Sequence, residues 1–505
     1  MNLLRSAVEL RTALSFGVVG LIVGLTLSGG AMGPSAFADR PSRPAMPSLE
    51  KEMGPFLRST ALRDVDIGVQ VVHVGTGDEL FAHDADDPLA PASTMKLVTT
   101  AAALRELGPT WRFKTKIKVV GDVSDGVLDG SVYVRGEADP TLVIEKLWKL
   151  AYDLKLQGVE EVKGNVVFDA SYLDLDYTLP GWDKAVDVED GPTYYPPIGA
   201  LSLNYNTVAV LVGPGAGTGK AARVLLETPA RDVLRLTNAV TTGDDGSRRN
   251  LDIERDAAPD HVELKVTGSV PAKSGTDRYY RTVGDPLAYF MGAMSEIFSQ
   301  VGIKVQGEFI RGTVPEDART LVELSSPPLS TILFDINKYS NNFMAETILR
   351  TLGAHKSSLG TNEAGLAVVR GYLTSIGVPA EAVVIKNGSG LSRDTRLAPE
   401  HLTAVLVDMA RDPKVSPEFV ASLSIAGRDG TLRRRMTDTE GAVRGKTGTL
   451  SGVHCLAGYV ETRDHEQLAF VFLANEVRGS VARVKDLQDS FVEHLSELDL
   501  GALER

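Results

Sequence analysis

Ser93 and Lys96 stand at i and i+3 in Ser93-Thr94-Met95-Lys96, and the apolar run 97–104 that follows reads as a buried helix with Pro91 near its start. On such a helix the hydroxyl and the amine share one face. Burial makes an ammonium costly, so the Lys96 pKa is expected to fall toward neutrality, where the amine can take a proton from the neighbouring serine. The pair is a candidate nucleophile with a built-in base.

Two further motifs could complete a site. Ser340-Asn341-Asn342 lies between helical patterns at 329–337 and 343–352, which predicts a tight connection projecting side chains from one wall. There Ser340 can relay a proton to a departing amine, and Asn342 can both accept from and donate to a peptide group. Lys446-Thr447-Gly448-Thr449 opens a strand-like run, followed by apolar runs at 453–460 and 468–473 that read as antiparallel strands. A glycine there lets a substrate backbone approach closely, while the lysine charge and threonine hydroxyls suit a carboxylate. One backbone N–H of this strand could complete an oxyanion hole with that of Ser93. Each short motif alone is common, and a Ser-Asn-Asn run is ordinarily a turn or cap. Their joint occurrence, in this order and in fitting local contexts, carries the signal.

The elements that must position these residues follow from pattern and length. A chain of 505 residues exceeds one ordinary core, since domains run to ~100–200 residues. Residues 66–74 and 79–82 read as a hairpin leading into the Ser93 helix. More than two hundred residues separate Lys96 from Ser340, far more than two walls of one site need. The stretch 109–283 is rich in short β-like runs, which predicts an inserted accessory region of one or two β-rich subdomains. Helical periodicity at 286–294 suggests that the chain has by then rejoined its first domain. The catalytic domain is therefore expected to be discontinuous, 49–108 and 284–505.

Arg5 and Arg11 precede an apolar stretch from 13 to 27, and Ala36-Phe37-Ala38 offers the small residues of a cleavage site. Residues 1–38 read as a cleaved signal and 39–48 as a proline-rich linker, so the protein is expected outside the cytoplasm, in a periplasm or an equivalent space. The alternative, an uncleaved anchor, requires ~20 apolar residues, and the stretch is shorter. The formal charge of −13 excludes non-specific nucleic-acid binding as a function. The lone cysteine, Cys455, cannot form an internal disulfide and sits in an apolar run as a small core residue.

The three motifs, with Asp139-Pro140-Thr141-Leu142, Gly388-Ser389-Gly390-Leu391-Ser392-Arg393 and Ala426-Gly427-Arg428-Asp429-Gly430-Thr431-Leu432, resemble the low-molecular-mass class C penicillin-binding proteins of the D-alanyl-D-alanine carboxypeptidase/endopeptidase family. The likeness runs from about 49 to about 495, and the long insertion is itself a family trait. It implies an α+β, penicillin-binding/serine β-lactamase-like catalytic domain, an antiparallel sheet flanked by helices. It further implies that Ser93 attacks the carbonyl between two D-alanines, or that of a D-alanyl crosslink, in peptidoglycan stem peptides. Lys96 would be the base, Ser340 the proton relay and Asn342 the holder of the acyl side chain. Lys446, Thr447, Gly448 and Thr449 would shape the field and grip the terminal carboxylate. β-Lactams would acylate Ser93; no cofactor or metal is implied. Two positions depart from the pattern: Asn387 where aspartate is expected, and Gly136-Glu137-Ala138 where a glycine-rich run is expected.

Other readings are a serine β-lactamase and a wall-binding scaffold without turnover. The first lacks a Glu-x-x-x-Asn between Asn342 and Lys446; Glu161 and Asn165 have the spacing but precede the second motif. Intact Ser93, Lys96, Ser340 and Lys446 argue against the second. His73, His83 and His261 have no metal-ligand spacing. Asp183, Asp187, Glu189 and Asp190 read as a solvated loop in preference to a cation site. The amphipathic stretch 487–498 could associate loosely with a membrane, but packing on the catalytic sheet is favoured.

Overall fold

The computed structural model describes residues 47–180, 193–230, 232–258 and 261–503. The expected signal, the linker up to residue 46, and the acidic cluster Asp183, Asp187, Glu189 and Asp190 lie outside them. The two remaining linker positions, 47 and 48, open a helix, Pro47–Leu57, that buries Leu49 and Met53.

An antiparallel sheet of six strands runs in the order Ser424–Ile425, Val443–Leu450, Val453–Glu461, Gln467–Asn475, Asp66–His73, Glu79–His83. Val453–Val460 is buried at every position, because both faces of the sheet are covered. Along these strands the period-two alternation divides the side chains between two cores. Cys455, Ala457, Ala469, Val471 and Leu473 join the core around the Ser93 helix, while Leu456, Leu468, Phe470 and Phe472 join the one on the far face. The C-terminal helix Val481–Glu497 covers that far face: Phe491 packs against Phe472, Phe81 and Phe56 with ring centroids 5.6, 6.0 and 5.9 Å apart. Its apolar stripe is thus occupied by the sheet.

On the catalytic face lies Met95–Leu107, buried from Met95 to Leu104. Its polar residues are paired internally: Thr99 Oγ1 donates to the Gly388 carbonyl (2.7 Å) and Thr100 Oγ1 to that of Lys96 (2.7 Å). Leu329–Lys338, Asn342–Ser357, Asn362–Ser375 and Pro399–Arg411 pack around it.

Between the Ser93 helix and Leu329 the chain builds a separate set of sheets. Seven strands, with Lys114–Ser124 and Val127–Gly136 at their centre, form one mixed sheet; two three-stranded sheets follow. The helix Pro286–Val301, expected to mark the return of the chain to its first domain, lies among these sheets instead. It packs on Ile144–Leu156, and the strands after it, Lys304–Val305, Phe309–Arg311 and Arg319–Ser325, pair with Glu161–Val162, Val166–Asp169 and Lys114–Ser124. The elements around Ser93 resume only at Leu329. An apolar stripe at helical spacing shows that a helix needs a core, not which core it will find.

Candidate active site

Ser93 sits in a single tight turn, Ala92–Thr94, that leads straight into the helix. Ala92 has φ +45, a left-handed conformation unusual for a residue with a Cβ, so the turn is strained beside the hydroxyl it presents. Two glycines let neighbouring backbone close on this turn. A Cβ at Gly390 would come within 1.9 Å of the Ala92 carbonyl oxygen, and one at Gly448 within 2.7 Å of that of Pro91. The second value explains the glycine of the third motif: it lets the Lys446 strand lie against the nucleophile's turn.

Lys96 is fully buried. Its Nζ lies 3.0 Å from Ser93 Oγ, 2.7 Å from Asn342 Oδ1 and 2.7 Å from the Ser389 carbonyl oxygen. Burial, and then the charge of Lys446, hold its pKa well below the ordinary lysine value, with the Glu346 carboxylate pulling the other way. As a neutral amine Lys96 would give its two protons to Asn342 and Ser389 and aim its lone pair at Ser93.

Ser340 stands between two helices with φ +61, and the next residue, Asn341, caps the second helix by accepting from the Met344 N–H at 3.0 Å. Lys446 donates to Ser340 Oγ (2.9 Å) and to the Thr447 carbonyl (2.8 Å), and burial brings its pKa down to about 7. The lysine expected as a simple positive charge is thus a buried amine behind Ser340. The Ser340 connection is itself anchored: Lys338 Nζ pairs with Asp429 Oδ2 at 2.5 Å, and Asp429 Oδ1 accepts from the Ile425 N–H at 2.7 Å. That gives the Ala426–Leu432 signature a structural purpose.

Of the eight expected site residues, Ser93, Ser340, Asn342 and Thr449 line a cleft of 730 Å³. Lys96, Lys446 and Gly448 are buried behind that lining, and Thr447 is half-buried. Tyr194, Arg393 and His454 share the cleft. Asn342, expected to hold the acyl group, is engaged at both ends of its amide: Oδ1 accepts from Lys96, and Nδ2 donates to the Tyr194 carbonyl at 3.0 Å. Sequence reasoning missed the contributions of Tyr194, Ser389 and Glu346. Of these, Glu346 had a signal, lying one helical turn beyond Asn342 in an otherwise apolar stretch.

Cys455, opposite Gly448 on the neighbouring strand, is buried and its thiol is pushed up to about 12, so it is a packing residue. Asn387, at the departure from the expected aspartate, is fully buried; Oδ1 accepts from the Gly390 N–H (3.0 Å) and Nδ2 donates to the Pro180 carbonyl (3.3 Å). At the other departure Glu137 pairs with Lys116 at 2.6 Å and Ala138 takes φ +60.

Several known proteins are similar to this chain over most of its length. A D-alanyl-D-alanine carboxypeptidase of Actinomadura sp. is 34% identical over 472 residues, spanning 89% of this chain and 84% of the relative. D-alanyl-D-alanine carboxypeptidase DacB of Haemophilus influenzae is 25% identical over 418 residues, 81% of this chain and 85% of the relative. The crystal structure of penicillin-binding protein 4 from H. influenzae superposes with a TM-score of 0.75 at 22% identity, covering 88% of this chain and 99% of that one. That protein complexed with a β-lactam gives 0.69 at 23%, covering 88% and 98%. These structures share the α+β penicillin-binding fold. The pattern of the D-Ala-D-Ala carboxypeptidase 3 (S13) family matches residues 49–498, and the chain belongs to that family.

Proposed function

We propose that the protein is a serine DD-peptidase that hydrolyses D-alanyl-D-alanine termini of peptidoglycan stem peptides, and D-alanyl crosslinks where they reach the cleft. Neutral Lys96 takes the proton of Ser93 as Oγ attacks the D-alanyl carbonyl carbon. The oxyanion is held by the Ser93 N–H and an N–H of the Lys446 strand. As the C–N bond breaks, Ser340, hydrogen-bonded to Lys446, passes a proton to the departing amine and is resupplied with the one that Lys96 took from Ser93, which leaves Lys96 neutral again. Water then attacks the acyl-enzyme carbonyl and gives a proton to Lys96, which hands it to Ser93 Oγ as the acyl–oxygen bond breaks. Thr449 at the cleft wall, with Thr447 and the Lys446 charge behind it, receives the substrate carboxylate.

The observation that carries this reading is the Lys96 amine, fully buried, 3.0 Å from Ser93 Oγ, with two other acceptors to take its protons. The carboxypeptidases among its relatives and the β-lactam complex of a protein of the same fold support the substrate and inhibitor classes. Export through residues 1–38 would deliver the enzyme to the cell wall.

Incubation of the purified protein with a fluorescent penicillin, followed by peptide mapping, tests the assignment. Stable label on Ser93, absent in Ser93→Ala, is expected. Rapid turnover of the label would mark a β-lactamase, and label elsewhere would sink the assignment. Muropeptides with and without crosslinks then separate the exo- from the endopeptidase activity.

A further inference from the structure

Glu346 is a fully buried carboxylate one helical turn beyond Asn342, and no step above uses it. Its two oxygens accept from consecutive backbone donors, Oε2 from the Gly388 N–H (2.9 Å) and Oε1 from the Ser389 N–H (2.7 Å). The carbonyls of the same two residues point to the nucleophile's helix: that of Gly388 accepts from Thr99 Oγ1 (2.7 Å), and that of Ser389 from Lys96 Nζ (2.7 Å). Asn387 closes the turn through the Gly390 N–H, and Gly390 passes against the Ala92 carbonyl. The turn is therefore clamped through its N–H groups by Glu346 and through its carbonyls by the nucleophile's helix. Two parallel N–H donors need two acceptor oxygens, and among side chains only a carboxylate supplies both.

We infer that Glu346 is the positioning residue of the base: by fixing the Gly388–Ser389 turn it sets the carbonyl that holds Lys96 within hydrogen-bonding distance of Ser93. Building on the reading of Ser93 and Lys96 as nucleophile and base, it adds a third member to that pair, one that never touches substrate. The carboxylate also faces Lys96 electrostatically. The charged groups around the pair are Lys446 on the strand side and Arg350, one turn further along the Glu346 helix. Arg350 is engaged by Asp174 at 3.0 Å. Glu346 opposes burial and Lys446, both of which strip the proton from Lys96.

The test uses full-length protein, a fluorescent penicillin and acylation rates across the pH range for the wild type, Glu346→Gln, Glu346→Asp and Ser93→Ala. Glutamine keeps the size but turns an NH2 toward a backbone N–H and removes the charge. Its acylation is expected to fall roughly 10- to 100-fold, as a small misplacement of a catalytic group does. The acid limb of its profile should also move to lower pH, because the charge favouring protonated Lys96 is gone. Aspartate keeps the charge but cannot span both donors, so its limb should stay in place while its rate falls. Wild-type rates in either variant would overturn the inference, as would a loss in Glu346→Gln that merely follows a lower Tm with the acid limb unmoved. If Glu346→Gln does not fold, the Glu346→Asp profile decides alone. Label persisting in Ser93→Ala would instead refute the nucleophile assignment.

Discussion

Lys446 Nζ donates to Ser340 Oγ at 2.9 Å, so Ser340 and Ser93 each have their own buried lysine at the cleft, Ser93 having Lys96 at 3.0 Å. The two amines repel one another, and burial weakens the charged form of both. One can serve as a base and the other as a proton donor only if their protonation states differ in the working enzyme.

A pH dependence follows. Acylation requires neutral Lys96, while a substrate carboxylate favours charged Lys446. The kcat/KM profile should be bell-shaped, with its alkaline limb near the Lys446 value of about 7. In kcat the limb should move to higher pH, because a bound carboxylate holds the Lys446 proton. A peptide ending in D-alaninamide, lacking that carboxylate, should show no such movement. Identical profiles for the acid and the amide would remove Lys446 from carboxylate recognition.

Lys446 should also cost the fold stability. Its folded-state pKa of about 7 lies below the ordinary 10.5, so between these values the unfolded chain binds more protons than the native state. Stability should therefore rise with pH across that window, and the full penalty is present below it. Lys446→Met removes the penalty. Thermal melts at about pH 6 should show a Tm gain of at least ~2 °C and a flatter dependence on pH. Acylation should fall by about 100-fold. A lower Tm would mean that the hydrogen bonds to Ser340 and the Thr447 carbonyl outweigh the buried charge.

The readability of the chain divides along the range of the forces involved. Ser93 with Lys96 and the strand that carries Lys446 are visible in the sequence, because one helical turn and one strand period place them locally, although the strand starts at Val443 and not at Lys446. The hairpin 66–83 is visible for the same reason. The helix Pro286–Val301 is legible as a helix, but its partner is not, since Ile144–Leu156 lies far off in sequence. Tyr194 reaches Asn342 through a backbone carbonyl, which no side-chain pattern encodes. The role of Glu346 is hidden because its partners are the N–H groups of Gly388 and Ser389, some forty residues on. The Lys338–Asp429 pair is hidden likewise.

Asn387 offers a test of one departure from the family pattern. Its amide donates to the Pro180 carbonyl, a bond that aspartate cannot make when ionised. Asn387→Asp buries a carboxylate against a carbonyl oxygen, and burial raises its pKa. The destabilisation should be about 1–3 kcal/mol at neutral pH and should shrink as the pH falls and the new carboxyl protonates. Denaturant titrations at about pH 5 and about pH 8 read the difference. Equal stability at both would show that the Pro180 segment moves aside to leave the new group solvated.

Gly390 and Gly371 separate a glycine required by close approach from one that is merely tolerated. Gly390 has φ +76, and a Cβ there would meet the Ala92 carbonyl oxygen at 1.9 Å and Met95 Cβ at 2.7 Å. Gly390→Ala must therefore push the Ser389 turn away from the nucleophile's turn, at a cost of about 3 kcal/mol or more, with acylation falling in step. Gly371 is exposed within the helix Asn362–Ser375, and a methyl group added there would meet nothing within 4 Å. Gly371→Ala should stabilise by about 0.5–1 kcal/mol and leave acylation unchanged, because it only removes unfolded-state freedom. Comparable stability for the two variants would mean that the contact between Gly390 and Ala92 does not hold the base against Ser93.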